Sequence, residues 1–270
     1  MLGTSNPPHW RTARLERSMS ETTVPAPSPS VSIVVPVKNE SGNIGPLVDE
    51  IAAAMADRSF EVICVDDGSR DGTAEVLSTL QAERPWLRHL KHVVSCGQSA
   101  ALRSGVTYAR ADVVATIDGD GQNDPKYLPE LLAALAKGGP RIGLAAGQRV
   151  DRQATGFKKL QSRVANEVRM MVLDDNTRDT GCGLKALRRD VFLALPYFDG
   201  MHRFFPALVQ RDGYDVVHVD VVDRPRQHGT SNYGMWDRLK ASMLDLGGAW
   251  WLTNRRKHIP AVSEVKRDAQ

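Results

Sequence analysis

Between residues 31 and 117 the chain alternates short runs of β-branched and other apolar residues with longer segments of helical periodicity. The runs predict strands at 31–37, 60–65, 87–94 and 113–117, and the segments between them predict helices at 44–55, 73–82 and 100–109. This alternation favours an α/β fold with a mostly parallel sheet flanked by helices, because each helix returns the chain between parallel strands. Ligands of such folds collect beyond the carboxyl ends of the strands, so the loops after the strands are the first candidates for a functional site.

The fourth predicted strand runs directly into Asp118-Gly119-Asp120-Gly121-Gln122. Two carboxylates one residue apart at a strand end aim oxygen ligands at one point, and oxygen ligands suit Mg²⁺ or Mn²⁺, which also bridge to phosphates. A metal-bound diphosphate is therefore the first substrate that the sequence indicates. Asp and Gly also favour turns for local reasons, so an ordinary acidic turn is the alternative.

The second predicted strand ends in the adjacent carboxylates Asp66 and Asp67, and Asp71 follows at the start of the next helix. Helix capping accounts for Asp71. It does not account for the adjacent pair, whose mutual repulsion favours a ligand role for at least one of them, facing a base edge or a ribose hydroxyl. The chain has neither a GxGxxG sequence after the first strand nor a GxxxxGK[ST] sequence, so we expect a metal to meet the phosphate charge.

Composition and termini limit the classes of protein to consider. The 270 residues fit one α/β domain of roughly 200 residues plus extensions, and the net charge of +3 is too small to indicate a nucleic-acid partner. Three distant cysteines without metal-ligand spacing fit buried thiols in a reducing compartment. The first 30 residues have arginines but no apolar signal-peptide core, which predicts a cytoplasmic protein, and Met19 is an alternative start.

These features divide the chain into a disordered leader at 1–29, a domain at 30–233, an amphipathic helix at 234–257 and a flexible tail at 258–270. No stretch approaches the ~20 apolar residues of a membrane-spanning helix, so we expect no transmembrane segment.

Five motifs occur in a fixed order: VPVKNE at 35–40, VDDGSRDGT at 65–73, DGDGQ at 118–122, DTGCGLK at 179–185 and RQHGTSNY at 226–233. In these motifs the chain resembles the family-2 glycosyltransferases of GT-A (Rossmann-like) fold, and among them the dolichol-phosphate and polyprenyl-phosphate glycosyltransferases. The resemblance covers residues 31–256. It implies inverting transfer of a sugar from an NDP-sugar, with GDP-mannose the first candidate and a UDP-sugar open, to a polyprenyl or dolichyl phosphate.

For the donor side the resemblance implies a nucleotide pocket and a metal site. The residues of the nucleotide pocket are Pro36, Glu40, Asp66, Asp67, Asp118 and Gly119. The ligands of Mg²⁺ or Mn²⁺ are Asp118, Asp120 and Gln122.

For the acceptor side the resemblance implies cations that meet the lipid phosphate, since arginine can bind two phosphate oxygens at once. Arg149 and Arg226 are the leading candidates, with Lys185 beside them and Ser231 as a neutral donor. We expect Asp179 to orient the acceptor or the sugar, or to act as a base, and a purely structural turn role is the alternative. The expected catalytic set is Asp120, Asp179, Arg149 and Arg226. Other basic residues that we expect on this side are Lys158, Lys159, Arg163 and Arg203. Many relatives carry a lysine where this chain has Asn232.

The segment 234–257 combines tryptophans with a basic cluster at 254–258, which is typical of a helix lying at a membrane surface. We therefore expect peripheral attachment to the cytoplasmic face of the membrane, with a membrane-protein partner as a further anchor. The alternative is a helix packed on the sheet or in an oligomer interface.

Three other classes of protein remain as alternatives. A soluble family-2 enzyme would act on a saccharide or protein acceptor without needing lipid-phosphate cations. A sugar-phosphate nucleotidyltransferase would have a Gly-rich, basic first loop, which 35–40 is not. A non-catalytic nucleotide-binding protein would not need the intact pair Asp118 and Asp120.

Overall fold

The computed structural model describes residues 28–150, 167, 169–225, 235–255 and 263, with 235–242 described by their backbone alone. The strands are β1 Val31–Val37, β2 Phe60–Asp66, β3 Leu87–Lys91, β4 Val113–Thr116, β5 Ile142–Arg149, β6 Lys185–Arg188 and β7 Asp215–Val221. Within the described residues they form a seven-stranded sheet in the order β3-β2-β1-β4-β6-β5-β7. Every neighbouring pair is parallel except the two that contain β6, which is antiparallel to both β4 and β5. The predicted mostly parallel sheet is confirmed.

Helices cover both faces of the sheet. They are α1 Ile44–Ala54, α2 Thr73–Glu83, α3 Gln98–Tyr108, α4 Leu128–Lys137, α5 Arg189–Ala194, α6 Phe205–Arg211 and α7 Met235–Asn254. Buried residues of α1, α2 and α4 form one apolar core, and those of α3, α5, α6 and α7 form a second core on the opposite face. Because both faces are covered, β1 and β2 are apolar at successive positions rather than at alternate ones.

The structure moves one predicted boundary in a way that matters for the site. β3 ends at Lys91 rather than at 94, and α3 begins at Gln98 rather than at 100. The apolar residues Val93 and Val94 extend the sequence pattern of a strand, yet they are 99% and 65% exposed. Residues 92–97 therefore form a loop at the carboxyl end of the sheet.

No helix in the described part of the chain is both long enough and apolar enough to cross a membrane.

Candidate active site

The site lies along the edge of the sheet that the carboxyl ends of the parallel strands form. It is centred between β1 and β4, where the chain order of the strands reverses. The parallel strands end at this edge, and the antiparallel β6 begins there, because Lys185 pairs with Thr116 of β4. The strand directions therefore bring together four of the five sequence motifs, those at 35–40, 65–73, 118–122 and 179–185. The fifth motif, at 226–233, lies outside the described residues.

Asp67 follows β2 and is held by protein donors on both of its carboxylate oxygens. Oδ1 accepts from the backbone amide of Cys96 at 2.7 Å and lies 2.7 Å from His92 Nδ1. Oδ2 accepts from the Ser95 hydroxyl at 2.7 Å and from the Gly97 amide at 2.9 Å. Burial raises the pKa of this carboxyl, but the four hydrogen bonds outweigh burial and lower the pKa to about 2. Asp67 therefore anchors the loop at 92–97.

Asp67, His92 and Cys96 carry ligand atoms of metal-binding types that lie within 4.8 Å of one another. The Asp67 carboxylate already accepts four hydrogen bonds, and the second ring nitrogen of His92 lies 2.9 Å from the Ser104 hydroxyl. A metal ion here would have to displace these contacts. We therefore interpret this cluster as an anchor of the loop.

Asp66 is the last residue of β2 and is completely buried. Its Oδ1 accepts from the Ser69 amide at 2.8 Å, and its Oδ2 lies 3.9 Å from His89 Nε2 without a hydrogen-bond partner among the described residues. Burial lowers the pKa of His89, while the charge of Asp66 opposes that effect. Asp66 thus stabilises the turn at 66–69 through a buried hydrogen bond.

The loop after β1 is tied to the loop after β2. Asn39 has φ 57°, in the left-handed region that asparagine tolerates, and its Oδ1 accepts from the Arg70 amide at 2.8 Å. The Glu40 amide donates to Thr73 Oγ1 at 2.9 Å, and the Glu40 carboxylate accepts from Asn43 Nδ2 at 2.6 Å. The motifs at 35–40 and 65–73 therefore form one continuous wall of the site, as their shared position at the strand ends predicts.

Among the described residues, the Asp118 carboxylate accepts fewer hydrogen bonds than the Asp67 carboxylate does. Gln98 Nε2 donates to Asp118 Oδ1 at 2.8 Å, and the Gln122 amide donates to Asp120 Oδ1 at 3.1 Å. Burial raises the pKa of Asp118 to about 6, Asp120 adds repulsion, and Lys185 partly opposes both effects. Two carboxylates in such an environment favour a bound cation.

Glycines allow the backbone to approach this carboxylate pair closely. A Cβ at Gly183 would lie 2.3 Å from Asp118 Cγ, and a Cβ at Gly119 would lie 2.9 Å from the Pro36 carbonyl oxygen. No other residue type fits at Gly183 without moving Asp118. The motifs at 35–40, 118–122 and 179–185 are thus in direct contact.

Arg149, at the end of β5, is held by two carboxylates and is 14% exposed. Its Nε and Nη2 donate to the two oxygens of Asp179 at 2.5 and 2.9 Å, and its Nη1 donates to Asp223 at 3.2 Å. Burial lowers the pKa of Arg149, but the hydrogen bonds and charge of Asp179 raise it more, so the guanidinium stays charged. The structure therefore brings Arg149 and Asp179 together.

Asp223 was missed in the sequence, although it also follows an apolar strand, β7. Its Oδ2 accepts from Arg149 and its Oδ1 accepts from Asn123 Nδ2 at 3.0 Å. The strand-end rule that identified Asp67 and Asp118 would have found it too. Asp223 connects the turn after β4 with the arginine after β5.

Lys185, which the sequence predicts beside the acceptor phosphate, is buried at the start of β6. The residue is 4% exposed, and its amine donates to the carbonyl oxygens of Thr180 and Cys182. Burial lowers the pKa of Lys185, while the charges of Cys182 and Asp118 oppose that effect. Lys185 is the first residue of β6, and these two hydrogen bonds tie its amine to the loop at 179–184.

His202 is a second residue that the sequence did not single out. Its Nδ1 lies 2.8 Å from the Ser99 hydroxyl in the first turn of α3. Burial lowers the pKa of His202 to about 3, and Lys185 and Arg203 add to that effect. The imidazole is therefore neutral at ordinary pH.

The remaining acceptor-side residues lie outside the described residues. They are Lys158, Lys159, Arg163, Arg226, Ser231 and Asn232. Arg203 is described, and its guanidinium lies 3.9 Å from Asp245 of α7.

The described part of α7 has two different faces. Ala249 is fully buried and Leu246 packs on the second apolar core, while the opposite side of the helix is exposed. The large apolar side chains of the exposed face are Met243, Leu244, Trp250 and Trp251. The Arg255 guanidinium lies 5.2 Å from the Trp251 ring.

The chain is similar in sequence to known glycosyltransferases. The sequence profile of Glycosyl transferase family 2 matches residues 32–195. The dodecaprenyl-phosphate galacturonate synthase of Rhizobium johnstonii is 35% identical over 228 residues, which are 82% of this chain and 67% of that protein. The undecaprenyl-phosphate 4-deoxy-4-formamido-L-arabinose transferase of Edwardsiella ictaluri is 32% identical, over 80% of this chain and 66% of that protein. The chain thus spans about two thirds of the length of these relatives.

Solved structures with the same fold include two phosphoglycerate glycosyltransferases. Glucosyl-3-phosphoglycerate synthase from Mycobacterium tuberculosis, in complex with Mn²⁺, UDP-glucose and glycerol 3-phosphate, has a TM-score of 0.60 at 20% identity, covering 83% of this chain and 80% of that one. Mannosyl-3-phosphoglycerate synthase from Rubrobacter xylanophilus has a TM-score of 0.64 at 16% identity, covering 88% of this chain and 79% of that one. The predicted GT-A fold is confirmed.

Proposed function

The chain belongs to glycosyl transferase family 2, and on that basis we propose that it transfers a sugar with inversion from a nucleoside-diphosphate sugar to a polyprenyl phosphate. The proposed catalytic unit is the domain at 30–233. The observation that carries the proposal is the convergence of Asp118 and Asp120 with Arg149 at one edge of the sheet. A carboxylate pair suits a metal-bound diphosphate, and a buried arginine suits a second phosphate.

The residues at 118–122 fit a divalent cation. The pKa of Asp118 is raised by burial and by Asp120, so the ionised pair is unfavourable without a neighbouring positive charge. Asp118, Asp120 and Gln122 would hold Mg²⁺ or Mn²⁺. The cation would neutralise the charge that develops on the leaving diphosphate, a contribution of several kcal/mol.

In the proposed reaction an oxygen of the lipid phosphate attacks the anomeric carbon of the sugar. A carbon–oxygen bond forms on one face while the bond to the diphosphate breaks on the other, and the nucleoside diphosphate leaves with the electron pair. The phosphate nucleophile is already an anion near neutral pH, so positioning matters more than removal of a proton.

Arg149 is suited to position that phosphate. A guanidinium has five N–H donors. In Arg149, three of them donate to the carboxylates of Asp179 and Asp223. Two donors stay unused by the described residues, and the two carboxylates keep the guanidinium fixed. Arg226 and Ser231 are proposed as further contacts of the same phosphate.

Asp179 is proposed as a positioning residue rather than as a base. Its Oδ2 accepts from Arg149 Nε, and its Oδ1 accepts from Arg149 Nη2 and from the Gly181 amide at 3.1 Å. A carboxylate whose two oxygens are tied to an arginine is a poor proton acceptor. We propose that Lys185 stabilises the loop at 179–184 by donating to the carbonyl oxygens of Thr180 and Cys182.

For the donor we place UDP-sugars ahead of GDP-mannose. Both sequence relatives described above are named for sugars other than mannose, and the Mycobacterium tuberculosis structure contains UDP-glucose. Pro36, Glu40, Asp66, Asp67 and Gly119 are proposed to shape the nucleotide pocket. Asp66 and Asp67 act there through the loops that they hold.

We further propose that α7 contacts a lipid surface at the cytoplasmic face of the membrane. Its exposed face presents Trp250 and Trp251 with Arg255 beside them, the combination that suits an anionic bilayer interface. In vesicle flotation with anionic liposomes, Trp250→Ser/Trp251→Ser should lose most of the bound fraction. Tyr108→Ser, at an equally exposed aromatic residue on α3, should bind as the wild type does. Equal flotation of all three proteins would contradict lipid contact by α7, and attachment through a membrane-protein partner would be the remaining explanation.

The test of the function is a donor panel. Purified protein is incubated with Mn²⁺ or Mg²⁺, a polyprenyl phosphate in detergent, and a set of UDP- and GDP-sugars, and lipid-linked product is read by mass spectrometry. We expect product from one donor and none from Asp120→Ala. Release of nucleoside diphosphate independent of the lipid would indicate a soluble acceptor, and no turnover with any donor would support a non-catalytic protein.

A further inference from the structure

Gln98 is the first residue of α3, and its side chain points at the proposed metal site. Its side-chain contact with Asp118 Oδ1, at 2.8 Å, must be a donation from the amide NH₂, because an ionised carboxylate only accepts. Among the described residues, Gln98 alone donates a hydrogen bond to the Asp118 carboxylate, and it donates to Oδ1. None of these residues donates to Oδ2. Gln98 thus holds one oxygen of Asp118, and the other lies beside the Gly183 backbone without a hydrogen bond from the described residues.

The start of α3 is itself fixed by Asp67. Gly97 precedes Gln98 with φ 89°, and its amide donates to Asp67 Oδ2 at 2.9 Å. The Cys96 amide donates to the other oxygen of Asp67. The backbone that carries Gln98 is therefore tied to the carboxylate at the end of β2.

We propose that Gln98 is a positioning residue for the metal ligand Asp118, and that Asp67 acts on the metal through Gln98 by fixing the first turn of α3. Gln98 supplies no ligand to the metal. It holds one carboxylate oxygen of Asp118 without adding charge, so the second oxygen stays available to the cation. This inference rests on the proposed function, since it requires a divalent cation at Asp118.

The experiment measures Mn²⁺ binding directly, by the electron paramagnetic resonance signal of free Mn²⁺ titrated with protein in the presence of UDP or GDP. Gln98→Leu removes the donor and keeps a similar volume. Changes to groups that orient metal ligands typically weaken metal affinity ~10–100-fold, so we expect about a 10-fold rise in the Mn²⁺ dissociation constant. Gln81→Leu, on the exposed side of α2, is the matched control and should bind as the wild type does.

A double-mutant cycle tests the connection to Asp67. Asp67→Asn should weaken Mn²⁺ binding although Asp67 does not touch the metal, and combining it with Gln98→Leu should cost less than the sum of the two single changes. Thermal melts of each variant identify any that do not fold. Additive losses would overturn the role of Asp67, and unchanged binding by folded Gln98→Leu would overturn the role of Gln98. If the wild type itself binds no Mn²⁺, the proposed function fails instead.

Discussion

Two aspartates that follow parallel strands at the same edge of the sheet have opposite environments. Asp67, after β2, accepts four hydrogen bonds and its pKa is lowered to about 2. Asp118, after β4, has one donor among the described residues and its pKa is raised to about 6. A carboxylate whose oxygens already accept hydrogen bonds from its own protein has a structural role. One that is buried beside another carboxylate with few donors is available to a ligand.

The largest effect should come from removing the charge at Asp118. Asp118→Asn should lower kcat/KM for transfer about 1000-fold, since charge stabilisation of the leaving group is worth several kcal/mol. Asp112→Asn, an exposed change just before β4, should leave transfer unchanged. Transfer by Asp118→Asn within 10-fold of wild type would remove Asp118 from the metal site.

Crowding Asp118 without changing its charge should have the next largest effect. Gly183→Ala places a Cβ 2.3 Å from Asp118 Cγ, so the carboxylate must move, and we expect about a 100-fold loss of kcat/KM with the fold retained. Gly72→Ala, whose Cβ would meet its nearest atom at 3.9 Å, is the control. Steady-state kinetics and a thermal melt of both variants separate crowding from unfolding.

Asp67 should also matter for the stability of the fold, because its carboxylate holds the loop at 92–97. Asp67→Asn leaves an amide that cannot accept all four hydrogen bonds, so we expect the free energy of unfolding at pH 7 to fall by about 1–3 kcal/mol. Because the pKa of Asp67 is lowered in the folded protein, its stabilisation is present above the unfolded pKa and is lost as pH falls through about 2. Urea unfolding followed by circular dichroism measures the difference. A variant as stable as wild type would contradict the anchoring role.

Asp118→Asn should shift stability in the opposite direction when no metal is present. The raised pKa of Asp118 means that its contribution to stability is present below the unfolded pKa of about 3.9 and is lost as pH rises through about 6. Metal-free Asp118→Asn should therefore be more stable than the wild type by about 2–3 kcal/mol at pH 7.5 and equally stable near pH 4. Added Mn²⁺ should stabilise the wild type alone. An unchanged difference across this pH range would show that Asp118 is not strained.

The half of the site formed by β1, β2 and β4 follows largely from the sequence. A single helix follows each of β1, β2 and β3, so the parallel arrangement and the meeting of the motifs at 35–40, 65–73 and 118–122 could be predicted. What could not be predicted is how each carboxylate is used. The donors to Asp67 come from a loop that follows a different strand, and the apolar pair at 93–94 conceals that loop as an extension of β3.

The other half depends on contacts between distant residues. β6 is only four residues long and inserts between β4 and β5 against the direction of both. The sequence motif at 179–185 indicated a role at the site, but not that Lys185 would be buried or that Asp223 would hold Arg149. Such contacts form when separate chain segments pack together, and they cannot be predicted from the hydrophobic periodicity of the sequence.

The reversed strand β6 also has a consequence for the order of folding. The β1–β2 ladder joins Val31 to Phe60, whereas the β4–β6 ladder joins Thr116 to Lys185 across a much longer segment. Closing the longer segment costs more chain entropy, and distant pairings slow folding. In pulsed hydrogen exchange during refolding, amides of β1 and β2 should gain protection before those of β6. The chain would then complete the loops after β1 and β2 first and the loop at 179–184 last.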